Sequence, residues 1–166
     1  MLAALPGNAG EGTRMAVAPK EILIVCYGNI CRSPTAEVLL RQTLARNGLD
    51  HLYTVSSAGV GAIAGQPAAP LTRLVASANG LVLDAHRARR LDADMAHKAH
   101  VVIALDEFVE DCILRIAGDM PVLAWNVDDP YGGPEAAYQS AFASLQALVA
   151  EFAATLGQPP ELPRGD

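Results

Sequence analysis

Four short apolar runs stand out along the chain, and longer segments of helical character lie between and after them. Short runs rich in Ile, Val and Leu are typical of strands buried inside a parallel sheet. Strands that alternate with helices predict a single-domain, three-layer α/β fold, with a four-stranded parallel sheet flanked by helices. The predicted strands are 22–25, 53–56, 101–104 and 121–124, and the predicted helices are 33–47, 70–78, 107–116 and 134–156.

The segment 26–34, directly after the first predicted strand, carries the strongest chemical signal in the chain. Gly28 and Asn29 permit tight, partly left-handed backbone turns. Ser33 suits the N-cap of a helix and Pro34 suits its first position. Backbone N–H groups converge in such a strand–loop–helix unit, and the helix dipole adds partial positive charge. We therefore predict a phosphate-binding loop after the first strand, whose residues are Tyr27, Gly28, Asn29, Ile30, Cys31, Arg32 and Ser33.

Cys26 begins this loop and Arg32 lies near its end. A guanidinium donates two parallel hydrogen bonds to two oxygens of one oxyanion. A thiol near a helix N-terminus and an arginine loses its proton readily, and the thiolate is the nucleophilic form of cysteine. We expect Cys26 to be an ionised nucleophile beneath a bound oxyanion. The structural alternative is a small buried cysteine that ends a core strand.

The sequence CYGNICRSPTAE at 26–37 resembles the active-site signature of the low-molecular-weight protein tyrosine phosphatases. The resemblance continues through 56–59, 86–89 and 128–131, in the family's order and at roughly its spacing. It implies a protein-tyrosine-phosphatase that hydrolyses aryl phosphate monoesters through a cysteinyl-phosphate intermediate on Cys26, without a cofactor or a metal. Ile63 resembles the aliphatic residue of bacterial members associated with capsule or exopolysaccharide export. That type implies a tyrosine-phosphorylated protein as partner, such as a bacterial tyrosine kinase.

The same resemblance assigns roles around the expected nucleophile. Asp129 is the candidate for the carboxyl group that protonates the leaving group and then activates water. Its neighbour Asp128 is a competitor, and an Asp-Pro surface turn is the structural alternative. Ser33 is expected to hydrogen-bond Cys26, and Tyr131 to flank the aromatic ring of the substrate.

Other residues near this site keep two interpretations each. Cys31 is either a partner of Cys26 in a reversible disulfide or a buried filler thiol. Tyr27 either narrows or extends the mouth of the pocket. Asp106 belongs either to a supporting network or to a helix N-cap, and the basic cluster 86–90 is either near-site support or a solvated face.

The composition limits the possible partners and setting. A chain of 166 residues with 51% hydrophobic residues fits one domain, expected at 20–157, with a disordered leader at 1–19 and a flexible tail at 158–166. A net charge of −6 argues against nucleic-acid binding, and the sequence has no apolar run long enough for membrane insertion. Three cysteines make no disulfide framework, so we expect a cytoplasmic protein. The oligomeric state and the physiological substrate stay open.

Two other functions compete with this interpretation. An arsenate reductase of the same loop architecture would also begin with thiolate attack, but it needs further cysteines to relay a disulfide. Cys112 is the single cysteine outside the loop, which disfavours that relay. A phosphotyrosine-binding protein with a degenerate site would have no need of Cys26, Arg32 and Asp129 together.

Overall fold

A computed structural model describes residues 17–157. Within this range the predicted α/β architecture is confirmed, because four parallel strands form one sheet in the order β2-β1-β3-β4. The expectations of a leader and a tail fall mainly on 1–16 and 158–166, which lie outside the described residues. The strands are β1 (Lys20–Cys26), β2 (Tyr53–Gly59), β3 (Val101–Ala104) and β4 (Leu123–Ala124).

The helices follow the predicted order with one addition. They are α1 (Arg32–Arg46), α2 (Pro70–Ala78), α3 (Ala93–Lys98), α4 (Glu107–Ala117) and α5 (Glu135–Thr155). The sequence did not predict α3, because a six-residue helix is too short to show a clear apolar period. Its start is nevertheless capped, since the Asp92 carboxylate accepts the Met95 N–H at 2.8 Å.

Strand β1 separates two apolar cores. Ile22 and Ile24 point into a core with side chains of α1, α2 and α5, whereas Leu23 and Val25 point into a core with α4. All four side chains are fully buried. This two-sided burial explains why β1 is a continuous apolar run, since alternate residues of a strand face opposite sides of the sheet.

The parallel register brings the carboxyl ends of the strands to one edge. Cys26 at the end of β1 is paired with Gly59 at the end of β2, and Val25 is paired with Ala104 at the end of β3. The chain connects β1 to β2 on one side and then crosses to β3 on the other. The loop after β1 therefore lies where the strand order reverses, the usual ligand site of an open α/β sheet.

Helix α5 is the longest helix, with 21 residues. Among residues 17–157, no helix combines the length and the apolar character needed to cross a membrane.

Candidate active site

The backbone of the loop after β1 is shaped by its contact with the end of β2. Asn29 has a φ of 55°, in the left-handed region, which asparagine tolerates better than most residues. A Cβ on Gly59 would lie 2.5 Å from the Tyr27 carbonyl oxygen and 2.8 Å from the Asn29 nitrogen. The N–H of Val60 donates to the Cys26 carbonyl at 3.0 Å. Only glycine at position 59 allows the loop to approach β2 this closely.

The predicted N-cap role of Ser33 is wrong. Helix α1 begins at Arg32, so Ser33 is its second residue, and Cys31 is at the N-cap position without a side-chain cap bond. The Ser33 hydroxyl is fully buried and lies 2.9 Å from Cys26 Sγ instead. Pro34 is the third helical residue, where its missing N–H is among the four that have no partner within the helix.

The sulfur of Cys26 is buried and receives polar contacts from the loop. The Asn29 N–H donates to Sγ at 3.2 Å, and Ser33 Oγ lies 2.9 Å away on another side. The loop therefore holds the Cys26 sulfur by two polar contacts at the carboxyl end of β1, where the sequence predicts the nucleophile.

Arg32 is 2% exposed and is fixed on one side only. Its Nη1 donates to Asp106 Oδ2 at 2.7 Å and to the Val127 carbonyl at 2.9 Å. Its Nη2 lies 3.4 Å from Asp129 Oδ2, a looser contact. Its Nε is buried and has no hydrogen-bond partner among residues 17–157. Because buried donors are nearly always paired, the Nε and Nη2 edge is suited to two oxygens of a bound oxyanion.

Both interpretations of Asp106 hold at once. Its Oδ2 accepts from Arg32, and its Oδ1 accepts the Val109 N–H at 2.7 Å, which caps α4. One carboxylate thus joins the start of α4 to the buried guanidinium. The position directly after β3 and before α4 makes this possible.

The side chain of Asn29 links the loop by hydrogen bonds to α1, to β2 and to the segment 86–90. Its Nδ2 donates to Ser33 Oγ and to Ser57 Oγ, each at 2.9 Å. Its Oδ1 accepts the Arg89 N–H at 2.8 Å, and its carbonyl oxygen lies 2.6 Å from His86 Nε2. These contacts support the near-site interpretation of the basic cluster 86–90.

Ser57 and Glu37 are supporting residues to which the sequence assigned no individual role, although Ser57 was expected at the same edge of the sheet as Cys26. The Ser57 hydroxyl donates to Glu37 Oε2 at 2.8 Å, and Arg41 donates to the other oxygen at 2.8 Å. The signal was present, because both Ser57 and Glu37 lie inside the blocks 56–59 and 26–37 that carry the family resemblance. These blocks do not reveal that the Ser57 hydroxyl on β2 connects the Glu37 carboxylate on α1 to the side chain of Asn29 in the loop.

A cleft of about 200 Å³ opens above the loop. Its lining brings together Cys26, Arg32, Asp129 and the exposed ring of Tyr131. Asp129 Oδ1 accepts the Tyr131 N–H at 3.1 Å, so the Asp-Pro-Tyr segment is a tight turn beside the cleft. Asp128 is exposed and is not part of the lining. The remaining lining residues are Tyr27, Gly28, Ile30, Cys31, Gly61, Ile63 and Gln66.

Cys31 differs from Cys26 in its surroundings. Burial raises the pKa of the Cys31 thiol from 9.0 to about 11. Burial and the adjacent Cys31 also raise the pKa of Tyr138. Cys31 is therefore a neutral thiol at physiological pH, and the thiol is not the nucleophilic form of cysteine.

The chain is similar in sequence to known proteins. The family model described as "Low molecular weight phosphotyrosine protein phosphatase" matches residues 21–161. A probable low molecular weight protein-tyrosine-phosphatase, EpsP of Ralstonia solanacearum, is 33% identical over 138 residues, which are 76% of this chain and 89% of that protein.

Solved structures show the same likeness. The tyrosine phosphatase Wzb of Escherichia coli K30, solved with sulphate, has a TM-score of 0.75 and 31% identity, covering 83% of this chain and 99% of that chain. The YwlE arginine phosphatase of Geobacillus stearothermophilus has a TM-score of 0.72 and 29% identity, covering 83% of this chain and 93% of that chain.

Proposed function

Because the chain belongs to the low molecular weight phosphotyrosine protein phosphatase family, we propose that it hydrolyses protein phosphotyrosine through a phosphocysteine on Cys26. The observation that carries this proposal is one edge of Arg32, which borders the same cleft as the Cys26 sulfur. Its buried Nε has no partner among residues 17–157, and its Nη2 has only the 3.4 Å contact with Asp129. A phosphoryl group above the sulfur satisfies both donors. The activity is that of a phosphoric monoester hydrolase.

The first chemical step forms a bond between Cys26 Sγ and phosphorus and breaks the bond between phosphorus and the phenolic oxygen. The phosphate oxygens are held by Arg32 and by the N–H groups of the loop. Asp129 gives its proton to the leaving phenolate, which departs as neutral tyrosine. The partly buried contact of Asp106 with Arg32 keeps the guanidinium plane in place during transfer.

The second step releases inorganic phosphate. Asp129, now ionised, takes a proton from a water molecule that attacks phosphorus, and the bond to sulfur breaks. Cys26 leaves as a thiolate, which Ser33 Oγ at 2.9 Å stabilises. Asp129 regains the proton that it gave in the first step, so the cycle closes without a cofactor.

Tyrosine is the favoured substrate side chain because aromatic residues border the cleft. Tyr131 and Tyr27 are both exposed at its lining, and Ile63 adds an aliphatic surface. Stacking of a phenyl ring on one such residue contributes about 0.5–1.5 kcal/mol. The likeness to an arginine phosphatase makes phosphoarginine the substrate that must be tested beside it.

The partner we propose is a tyrosine-phosphorylated protein, in particular an autophosphorylated bacterial tyrosine kinase of polysaccharide export. The bacterial, exopolysaccharide-associated type predicted from Ile63 fits relatives such as EpsP. An arsenate reductase is not favoured, since the chain matches phosphatases and Cys112 stands alone outside the loop.

Trapping of the covalent intermediate tests this proposal. The Asp129→Asn variant lacks the base of the second step, so brief reaction with p-nitrophenyl phosphate, whose leaving group departs without a proton, followed by acid quenching should leave one phosphoryl group on Cys26, located by mass spectrometry. The wild-type protein should hydrolyse a phosphotyrosine peptide. Cys112→Ser in the Asp129→Asn background should trap as much, and Cys26→Ala, which has no nucleophilic atom, should trap none. Equal labelling without Cys26, or turnover of phosphoarginine peptides alone, would contradict the proposal.

A further inference from the structure

The mouth of the cleft continues into an exposed aromatic pair. Tyr27 is 52% exposed and Phe108 is 60% exposed, and their ring centroids lie 6.3 Å apart at an interplanar angle of 42°. Centroid distances of 4.5–7 Å are those of interacting aromatic rings. We call these two side chains the aromatic shelf.

The shelf has a fixed position relative to the reacting atoms. Tyr27 follows Cys26 directly and lines the cleft, and a Cβ on Gly61 would lie 2.7 Å from its ring. Phe108 is two residues after Asp106, which binds Arg32 and caps α4. The loop therefore supports one ring of the shelf, and the first turn of α4 supports the other.

The shelf is not explained by packing within the protein. The buried residues of α4 are Val109 and Ile113, which fill the core beneath, whereas Phe108 keeps most of its surface in water. Exposed apolar side chains that form a continuous surface with a binding cleft are typical of contact sites.

We propose that the aromatic shelf binds an aromatic or bulky aliphatic side chain that flanks the phosphotyrosine of the substrate. This inference rests on the proposed function and adds a sequence preference to it. Continuity with the cleft identifies the occupant, because Tyr27 lines the cleft and contacts Phe108, so a residue beside the phosphotyrosine reaches the shelf first. Glu107 and Asp111 lie exposed on α4 beside Phe108, so an acidic flanking residue is disfavoured.

Steady-state kinetics on matched peptides test the shelf. The panel holds one phosphotyrosine peptide with phenylalanine, glycine or glutamate placed directly before or directly after the phosphotyrosine. The wild-type protein should show kcat/KM roughly two- to tenfold higher for phenylalanine than for glycine at one of these positions, as expected for one aromatic contact. Glutamate there should be no better than glycine.

Phe108→Ala should remove this preference while leaving the glycine peptide and p-nitrophenyl phosphate unchanged, because Phe108 lies outside the lining of the cleft and neither substrate reaches it. Phe108→Tyr should retain the preference. The matched control is Leu74→Ala, because Leu74 is also an exposed apolar residue but lies on α2. This variant should retain the preference for phenylalanine.

Two results overturn the shelf while leaving the proposed function intact. One is a wild-type protein that hydrolyses all the peptides at equal rates. The other is a Phe108→Ala variant that keeps the preference, or that loses the same factor on every substrate including p-nitrophenyl phosphate. A wild-type protein inactive on all phosphotyrosine peptides overturns the proposed function and the shelf together.

Discussion

Replacing Asp106 by alanine removes two contacts made by one carboxylate. One is the cap of α4, in which Oδ1 accepts the Val109 N–H at 2.7 Å. The other is the ion pair of Oδ2 with Arg32 Nη1 at 2.7 Å. The guanidinium is 2% exposed and the carboxylate 34% exposed, so water replaces the lost partner poorly. We expect Asp106→Ala to lower both the stability and the activity.

The magnitude follows from these two contacts. Loss of an aspartate N-cap costs about 1 kcal/mol. Loss of a charge-assisted hydrogen bond costs about 1.5–3 kcal/mol, with the lower end applying here because a third of the carboxylate is exposed. The free energy of unfolding should fall by about 2.5 kcal/mol, or roughly 5–10 °C in Tm for a chain of this size. Asp106→Asn has a single acceptor oxygen, which can keep the cap of α4 while its NH₂ group faces the Arg32 donor, so it should lose about 1.5 kcal/mol, the share of the ion pair alone.

Kinetic measurements distinguish a role of Asp106 in positioning Arg32 from a purely structural role. A guanidinium that shifts by about 1 Å can cost about 100-fold in rate. We expect Asp106→Ala to reduce kcat/KM for p-nitrophenyl phosphate by roughly 10- to 100-fold, and to weaken inhibition by inorganic phosphate. Asp92 caps α3 with a bond of 2.8 Å and has no arginine partner among residues 17–157. Asp92→Ala should therefore cost about 1 kcal/mol and leave the kinetics unchanged.

The test is to measure urea unfolding and inhibition by inorganic phosphate for Asp106→Ala, Asp106→Asn and Asp92→Ala. The reasoning is refuted if Asp106→Ala is no less stable than Asp92→Ala and binds phosphate as the wild-type protein does.

Three further predictions concern the loop and its neighbours. Arg32→Lys should lower kcat/KM for p-nitrophenyl phosphate by about 10²–10³-fold, since a point charge cannot donate two parallel hydrogen bonds; a loss of only a few fold would count against that geometry. Asp129→Ala should cost about 10²–10⁴-fold on substrates with poor leaving groups, such as alkyl phosphates, and Asp128→Ala should cost little; the reverse order would show that the acid was assigned wrongly. Burial raises the pKa of Cys31 from 9.0 to about 11, so its contribution to stability is complete below pH 9.0 and is lost as the pH rises towards 11. Cys31→Ala should make the fall in unfolding free energy over that window shallower by on the order of 2 kcal/mol in urea titrations, and an unchanged slope would contradict the buried thiol.

Local sequence patterns predicted most of the fold. The apolar runs at 22–25 and 101–104 fall within β1 and on β3, because fully buried strands leave a continuous apolar signal. The fourth predicted strand, 121–124, is shorter in the structure, where β4 is limited to Leu123–Ala124 at the exposed edge of the sheet. Both residues of β4 are exposed, so the apolar pattern of 121–124 does not mark a fully buried strand.

The contacts that orient the site were less predictable. Arg32 is bound by Asp106, 74 residues later, and by the Val127 carbonyl, 95 residues later. Hydrophobic periodicity does not predict a contact between residues so far apart in the sequence. A backbone carbonyl is present in every residue, so the sequence gives no sign of which one binds Arg32. Ser33 shows the same limit locally, because its residue type suited a helix cap and its burial beside Cys26 gave the hydroxyl another partner.

The structure of the protein with orthovanadate tests the central claim most directly, since vanadate forms a bond to a nucleophilic sulfur and mimics the transferring phosphoryl group. We expect vanadium bonded to Cys26 Sγ, with Arg32 Nε and Nη2 each donating to an equatorial oxygen and Asp129 facing the opposite side. Vanadate bound elsewhere, or bound over the loop with Arg32 Nε still unpaired, would contradict the account.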